Sequence, residues 1–167
     1  MLEQRVLLEL QEYVACRLER PLLQEAEQLH FRVAPSMAPA PQREIEDYVN
    51  KVRKPTFQAV LFELIDQKGA PDAEIYKKAG LDRRHFSKIR GNPGYRPGKP
   101  SVIALALALE LHKKEADRLL HAAGYSLSES ETFDLVIQFC LERRIFDLNE
   151  VNQALDYFSL RPLGALE

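Results

Sequence analysis

An all-α fold is what this sequence predicts, and three observations predict it. Apolar residues recur three and four apart through most of the chain, the spacing of one helix face. No stretch sustains the polar/β-branched alternation that a half-buried strand needs, so no sheet is expected. Glycines, prolines and short polar caps fall between the apolar stretches, where helices must stop and start. The chain has 167 residues, 46% hydrophobic and 29% charged, a composition that fits a globular domain.

The elements follow in order. Leu2, Val6, Leu10, Val14 and Leu18 form an i, i+4 row, widened by Leu7 and Tyr13, which predicts a helix over 2–19. Pro21 breaks it or starts a second turn, and Leu22, Leu23, Ala26 and Leu29 carry an apolar face to about Phe31. Residues 1–32 are therefore expected to be an N-terminal helical arm. Residues 33–43 hold three prolines among small residues and are expected to be a linker. A domain over 44–165 follows. It opens with a short charged helix over 44–53. Pro55 then suits the first position of a helix whose Phe57, Val60, Leu61, Leu64 and Ile65 make one buried stripe and whose stop is Gly69.

A short helix over 71–79 turns Ile75 and Tyr76 inward. Gly80 supplies a left-handed turn, and Asp82 caps a helix running to about Arg90. Residues 91–100, rich in glycine and proline, are expected to be irregular. Ser101 is expected to cap a helix that is apolar all round from Val102 to Leu111, which must be central and buried. A helix over 114–123 ends at Gly124. Two more complete the chain, with capping boxes expected at Ser128/Glu131 and Asp147/Glu150.

The charge is unevenly placed. Between Lys77 and Lys99 lie eight basic residues and one acid, in a chain whose net charge is −2. An excess of this kind points to a basic face with a polyanionic partner, unless acids from elsewhere in the chain return to it in space. At the centre is the helix after Asp82. Phe86 and Ile89 can face a core, while Arg83, Arg84, His85, Lys88 and Arg90 are expected to point outward.

Residues 57–120 resemble the lambda-repressor-like (Cro/C1-type) helix-turn-helix domain. The residues that carry the resemblance are Ile75 in the first motif helix, Gly80 at the turn, Leu81 after it, Asp82 at the cap, Phe86 and Ile89 at the buried recognition-helix positions, and Arg96-Pro97 before Ser101. Residues 44–163 are also similar to a bacterial version of that domain that runs on into two extra helices and is found appended to macro domains. The resemblance implies an all-α, five-helix lambda-repressor-like core with two additional C-terminal helices, to which the apolar row of residues 2–31 adds an N-terminal helical arm. It implies a non-enzymatic, cytoplasmic transcription regulator that binds double-stranded DNA as a homodimer, through the N-terminal arm or the last two helices. Arg83, Arg84 and Lys88 would then read bases or phosphates, with His85 able to add a contact, and Arg90, Asn92, Arg96 and Lys99 would contact the backbone.

Two residues depart from the pattern. Asp72 stands where the family has a phosphate-binding glutamine, and Tyr76 where it has a small residue. They favour the alternative reading, an interaction module that keeps the fold but holds RNA or an acidic protein partner.

Other chemistry finds little support. Gly98-Lys99 is followed by Pro100, so no phosphate-binding loop of the Walker type forms. His30, His85, His112 and His121 are scattered, and no Ser/His/Asp arrangement stands out, so no catalytic residue, metal or cofactor is expected. Cys16 and Cys140 match no metal spacing and are expected to be free thiols in a reducing compartment. No apolar run is long enough to span a bilayer, and no signal peptide is expected at the N-terminus.

Overall fold

The computed structural model describes residues 4–18 and 42–164. Among these residues every regular element is a helix. They are α1 (Gln4–Leu18), α2 (Gln42–Val52), α3 (Phe57–Lys68), α4 (Asp72–Lys78), α5 (Arg83–Gly91), α6 (Lys99–Ala108), α7 (Lys113–Ala122), α8 (Thr132–Glu142) and α9 (Leu148–Tyr157). None is long and apolar enough to cross a membrane. The chain divides into two compact units, residues 1–18 with 55–167, and residues 19–54. The expected linker and the apolar face from Leu22 to Phe31 lie outside the described residues. In the second unit, α2 carries Ile45, Tyr48, Val49 and Val52 exposed, so no part of it is buried.

The first unit is built on α6. Val102 through Leu109 are all buried, so this helix has no solvent face. α4, α7 and α9 pack directly on it, α3 packs on α7, and α5 packs on α4. The stripe predicted for α3 is the buried one, with Phe57, Val60, Leu61, Leu64 and Ile65 inside. Gly69 ends that helix at φ +64°, a left-handed conformation in which a Cβ would be strained. Thr56, overlooked in the sequence, is its cap: the hydroxyl accepts the Ala59 N–H at 3.3 Å.

Two expected caps are displaced. α6 begins at Gly98–Lys99, not at Ser101. Pro100 fits inside its first turn because the N–H that proline lacks has no partner there. The box at Ser128/Glu131 does not form. The Asp134 carboxylate accepts the Ser128 N–H at 2.7 Å, the Ser128 hydroxyl turns to Ser130, and α8 starts only at Thr132. At the second box only half forms: Asp147 caps α9, accepting the N–H groups of Asn149 and Glu150, without the return bond to the Glu150 carboxylate.

The arm predicted at the N-terminus is α1, and it lies on α8 and α9 of its own chain. Leu10 and Val14 are buried there, and Tyr13 meets the Phe139 ring edge-on at 5.3 Å. Arg143 pairs with Glu9 at 2.6 Å, and the Tyr157 hydroxyl donates to Gln11 at 3.0 Å. The i, i+4 row runs off the contact at its end, where Leu18 is 45% exposed. Leu10 and Val14 of the arm are thus spent on the last two helices, which were themselves expected as a dimer surface.

One ion pair is internal. Asp134 is 2% exposed, and Lys99 Nζ reaches its carboxylate at 2.6 Å. With Ser128 also donating, the buried charge is paired and hydrogen-bonded, which is what makes its burial tolerable. Asp134→Ala should therefore lower stability by about 2–3 kcal/mol, seen as a lower urea midpoint by circular dichroism, because Lys99 and the Ser128 N–H both lose their partner. The two thiols should also behave differently. Burial pushes the Cys140 thiol up to about 12, whereas Cys16 is exposed. Since the thiolate is the reactive form, a thiol reagent at pH 8 should modify Cys16 alone in the native protein and both cysteines in denaturant.

Candidate functional site

The basic helix is α5, and its local structure follows from its residues. Asp82 accepts the Arg84 N–H at 3.1 Å and starts it. Phe86 and Ile89 are buried and fix its rotation. At 100° per residue, Arg83, Ser87, Arg84 and Lys88 fall within an arc of about 140° on the other side. All four are exposed. Arg83, Arg84 and Lys88 have no ion-pair partner among the described residues. The reversal before α5 depends on Gly80, whose φ is +62° and whose added Cβ would lie 3.0 Å from Leu148 Cδ2.

The remaining predicted site residues are used differently. Arg90 pairs with Asp72 and lies over the Phe62 ring with its guanidinium carbon 5.0 Å from the centroid. The Arg90 carbonyl accepts from Gln58 Nε2, so the end of α5 is held by both α3 and α4. Lys99 is turned inward to Asp134. Asn92 makes a local turn, its Oδ1 accepting the Gly94 N–H at 3.0 Å. Arg96 is exposed without an ion-pair partner among the described residues, and its guanidinium rests where a Cβ on Gly124 would be, 3.2 Å away. His85 was expected to point outward and does not. It is half-buried, edge-on to Tyr95 at 5.8 Å, with Nε2 buried and unpartnered among the described residues.

Acids do return to this region in space, and they return selectively. Lys78 lies 3.0 Å from Glu74 and 3.8 Å from Glu110, and these neighbours raise its pKa. Arg90 takes Asp72, and Lys99 takes Asp134. Lys77, Arg83, Arg84, Lys88 and Arg96 keep their charge uncompensated. The Asp72 charge is thereby paired with Arg90. Tyr76 is accommodated by aromatic packing, its ring 5.7 Å from Phe86, which Phe62 meets edge-on from 6.3 Å. Ser87 was passed over in the sequence because it carries no charge, but it stands between Arg83 and Arg84 on the open arc.

Nothing gathers for metal chemistry: among the described residues no three His, Cys, Asp or Glu side chains come together. The arrangement can attract and orient an anion along one helix; it holds no paired acid and base.

A face built this way should be separable from the fold. Replacing Arg83, Arg84 and Lys88 together by alanine should leave the melting temperature nearly unchanged, since each side chain is exposed and unpaired. Gly80→Ala should instead cost about 1–3 kcal/mol by thermal or urea unfolding, through the left-handed backbone and the contact with Leu148. No protein-family model, curated protein or solved structure matches this chain, so the reading of the site rests on its own geometry.

Proposed function

We propose that this chain is a non-enzymatic, DNA-binding regulator in which α4, the Gly80 turn and α5 act as a helix-turn-helix within a lambda-repressor-like core of α3–α7. One observation carries the reading: Arg83, Arg84 and Lys88 stand unpaired on the exposed arc of a short helix whose opposite side is locked into the core by Phe86 and Ile89. Such a helix can enter a major groove, where arginine and lysine suit both guanine edges and phosphates. Arg96, from the loop before α6, supplies a further phosphate contact. Arg90 and Lys99 act as positioning residues, because their charges are already committed to Asp72 and Asp134.

The residues that favoured a protein- or RNA-binding module are both accounted for within the fold. Asp72 is paired, and Tyr76 is packed against Phe86. Both contacts support the reading of α5 as a rigid, cation-bearing helix for duplex DNA.

The four cations proposed to contact DNA, Arg83, Arg84, Lys88 and Arg96, set the expected salt dependence. The logarithm of the duplex affinity should fall with the logarithm of salt concentration with a slope of about −3 to −4 per bound subunit. Fluorescence anisotropy with a labelled duplex across salt concentrations measures it. Arg83→Glu with Arg84→Glu should remove binding, while Lys99→Met should destabilise the protein without lowering the slope by a full charge. Absence of duplex binding by the folded protein at low salt would overturn the reading. Binding to RNA or to an acidic protein, but not to duplex DNA, would replace it by the interaction module.

A further inference from the structure

Behind α5 lies a cavity of about 210 Å³ that the proposed DNA contacts do not use. The Gly80 turn and the start of α5 form one wall, the first turn of α6 a second, Phe133 of α8 a third, and residues 161–164 a fourth. The last wall is built with care. Asn152 takes the place of a backbone neighbour for Leu163, donating from Nδ2 to its carbonyl at 3.1 Å and accepting its N–H at 2.7 Å. Leu163 is buried, and Gly164 at φ +73° lies against Gly80, where its Cα is 3.6 Å from the position a Cβ on Gly80 would take.

The strongest donor of this cavity has no acceptor. Arg161 has no ion-pair or hydrogen-bond partner among the described residues. His85 lines the cavity as well, with its Nε2 buried away from solvent. Ser101 lies in the first turn of α6, a helix that starts at glycine with no side-chain cap, so its leading N–H groups have no such acceptor. One acid, Asp82, faces them, and one of its oxygens is engaged by the Arg84 N–H. The rest of the lining, Leu81, Phe133 and Leu163 among it, is apolar. A cavity of about 150 Å³ accommodates benzene, so this one has room for a single ring and one acidic group.

We propose that the cavity is a binding site for a small aromatic acid, its carboxylate or phosphate held by Arg161 and its ring resting on Phe133 and Leu163. Such a ligand touches both the C-terminal segment and the turn that sets α5.

The site can be tested without nucleic acid, so its outcome is independent of whether α5 binds DNA. Benzoate and phenylphosphate are titrated separately into the ¹⁵N-labelled full chain, with benzyl alcohol as the uncharged control. Either acid should shift the amides of Gly80, Ser101 and Gly164 saturably. Arg161→Ala, which alters an exposed and unpaired side chain, should keep the fold and weaken binding of that acid about tenfold, the effect of losing one charge-assisted hydrogen bond. Arg161→Lys should restore most of it. Benzyl alcohol should bind at least as weakly as the acid does to Arg161→Ala. The proposal is overturned if neither acid shifts these amides at tens of millimolar, if the shifts map elsewhere, or if Arg161→Ala or benzyl alcohol binds as well as the native pair.

Discussion

The structure depends on one constraint: α6 has no polar face. Its buried run from Val102 to Leu109 must be covered on every side. Helix packing leaves room for only a few neighbours around one axis, and here α4, α7 and α9 occupy those positions. This explains why the last two helices belong to the compact unit rather than trailing from it. α9 covers part of α6, and α8 is held between α7, α9 and α1. The order of elements along the chain suggests a core with additions; the burial of α6 makes the additions part of the core.

Polar contacts then fix how these apolar layers are joined. The Lys99–Asp134 pair ties the first turn of α6 to α8, and because Asp134 also accepts from Ser128 it sets where α8 begins. Asn152 ties the segment after α9 back to that helix and so holds Gly164 against Gly80. The turn that orients α5 is consequently braced from two directions, by the packing of α4 on α6 and by the C-terminal segment. Glycine is required at Gly80 on both counts, for its positive φ and for the close approach of Leu148.

Much of this was legible in the sequence. The helical class, the stripe of α3, the buried nature of α6, the Gly80 turn and the Asp82 cap all follow from local rules of spacing and capping, which a sequence displays directly. The capping residues failed where a distant partner competed for the same groups. Ser128 could have formed a box with Glu131, but the carboxylate of Asp134 claims its N–H, and Ser101 lost its place because α6 could begin earlier at Gly98. His85 was misjudged by composition and recoverable by angle: it lies about 200° from Arg83 on the helix wheel, on the side of Phe86 and Ile89. Counting basic residues set it among the arginines, whereas its position set it inward.

What the sequence determined by itself is the list of elements, their buried faces and the presence of a dense basic stretch, because each of these depends on residues within a few positions of one another. Only the tertiary structure decided which of those cations remain free. Asp72, Glu110 and Asp134 lie outside the basic helix in sequence, and ion pairing depends on distance in space, so the fold had to form before Lys78, Arg90 and Lys99 were withdrawn and Arg83, Arg84 and Lys88 were left open.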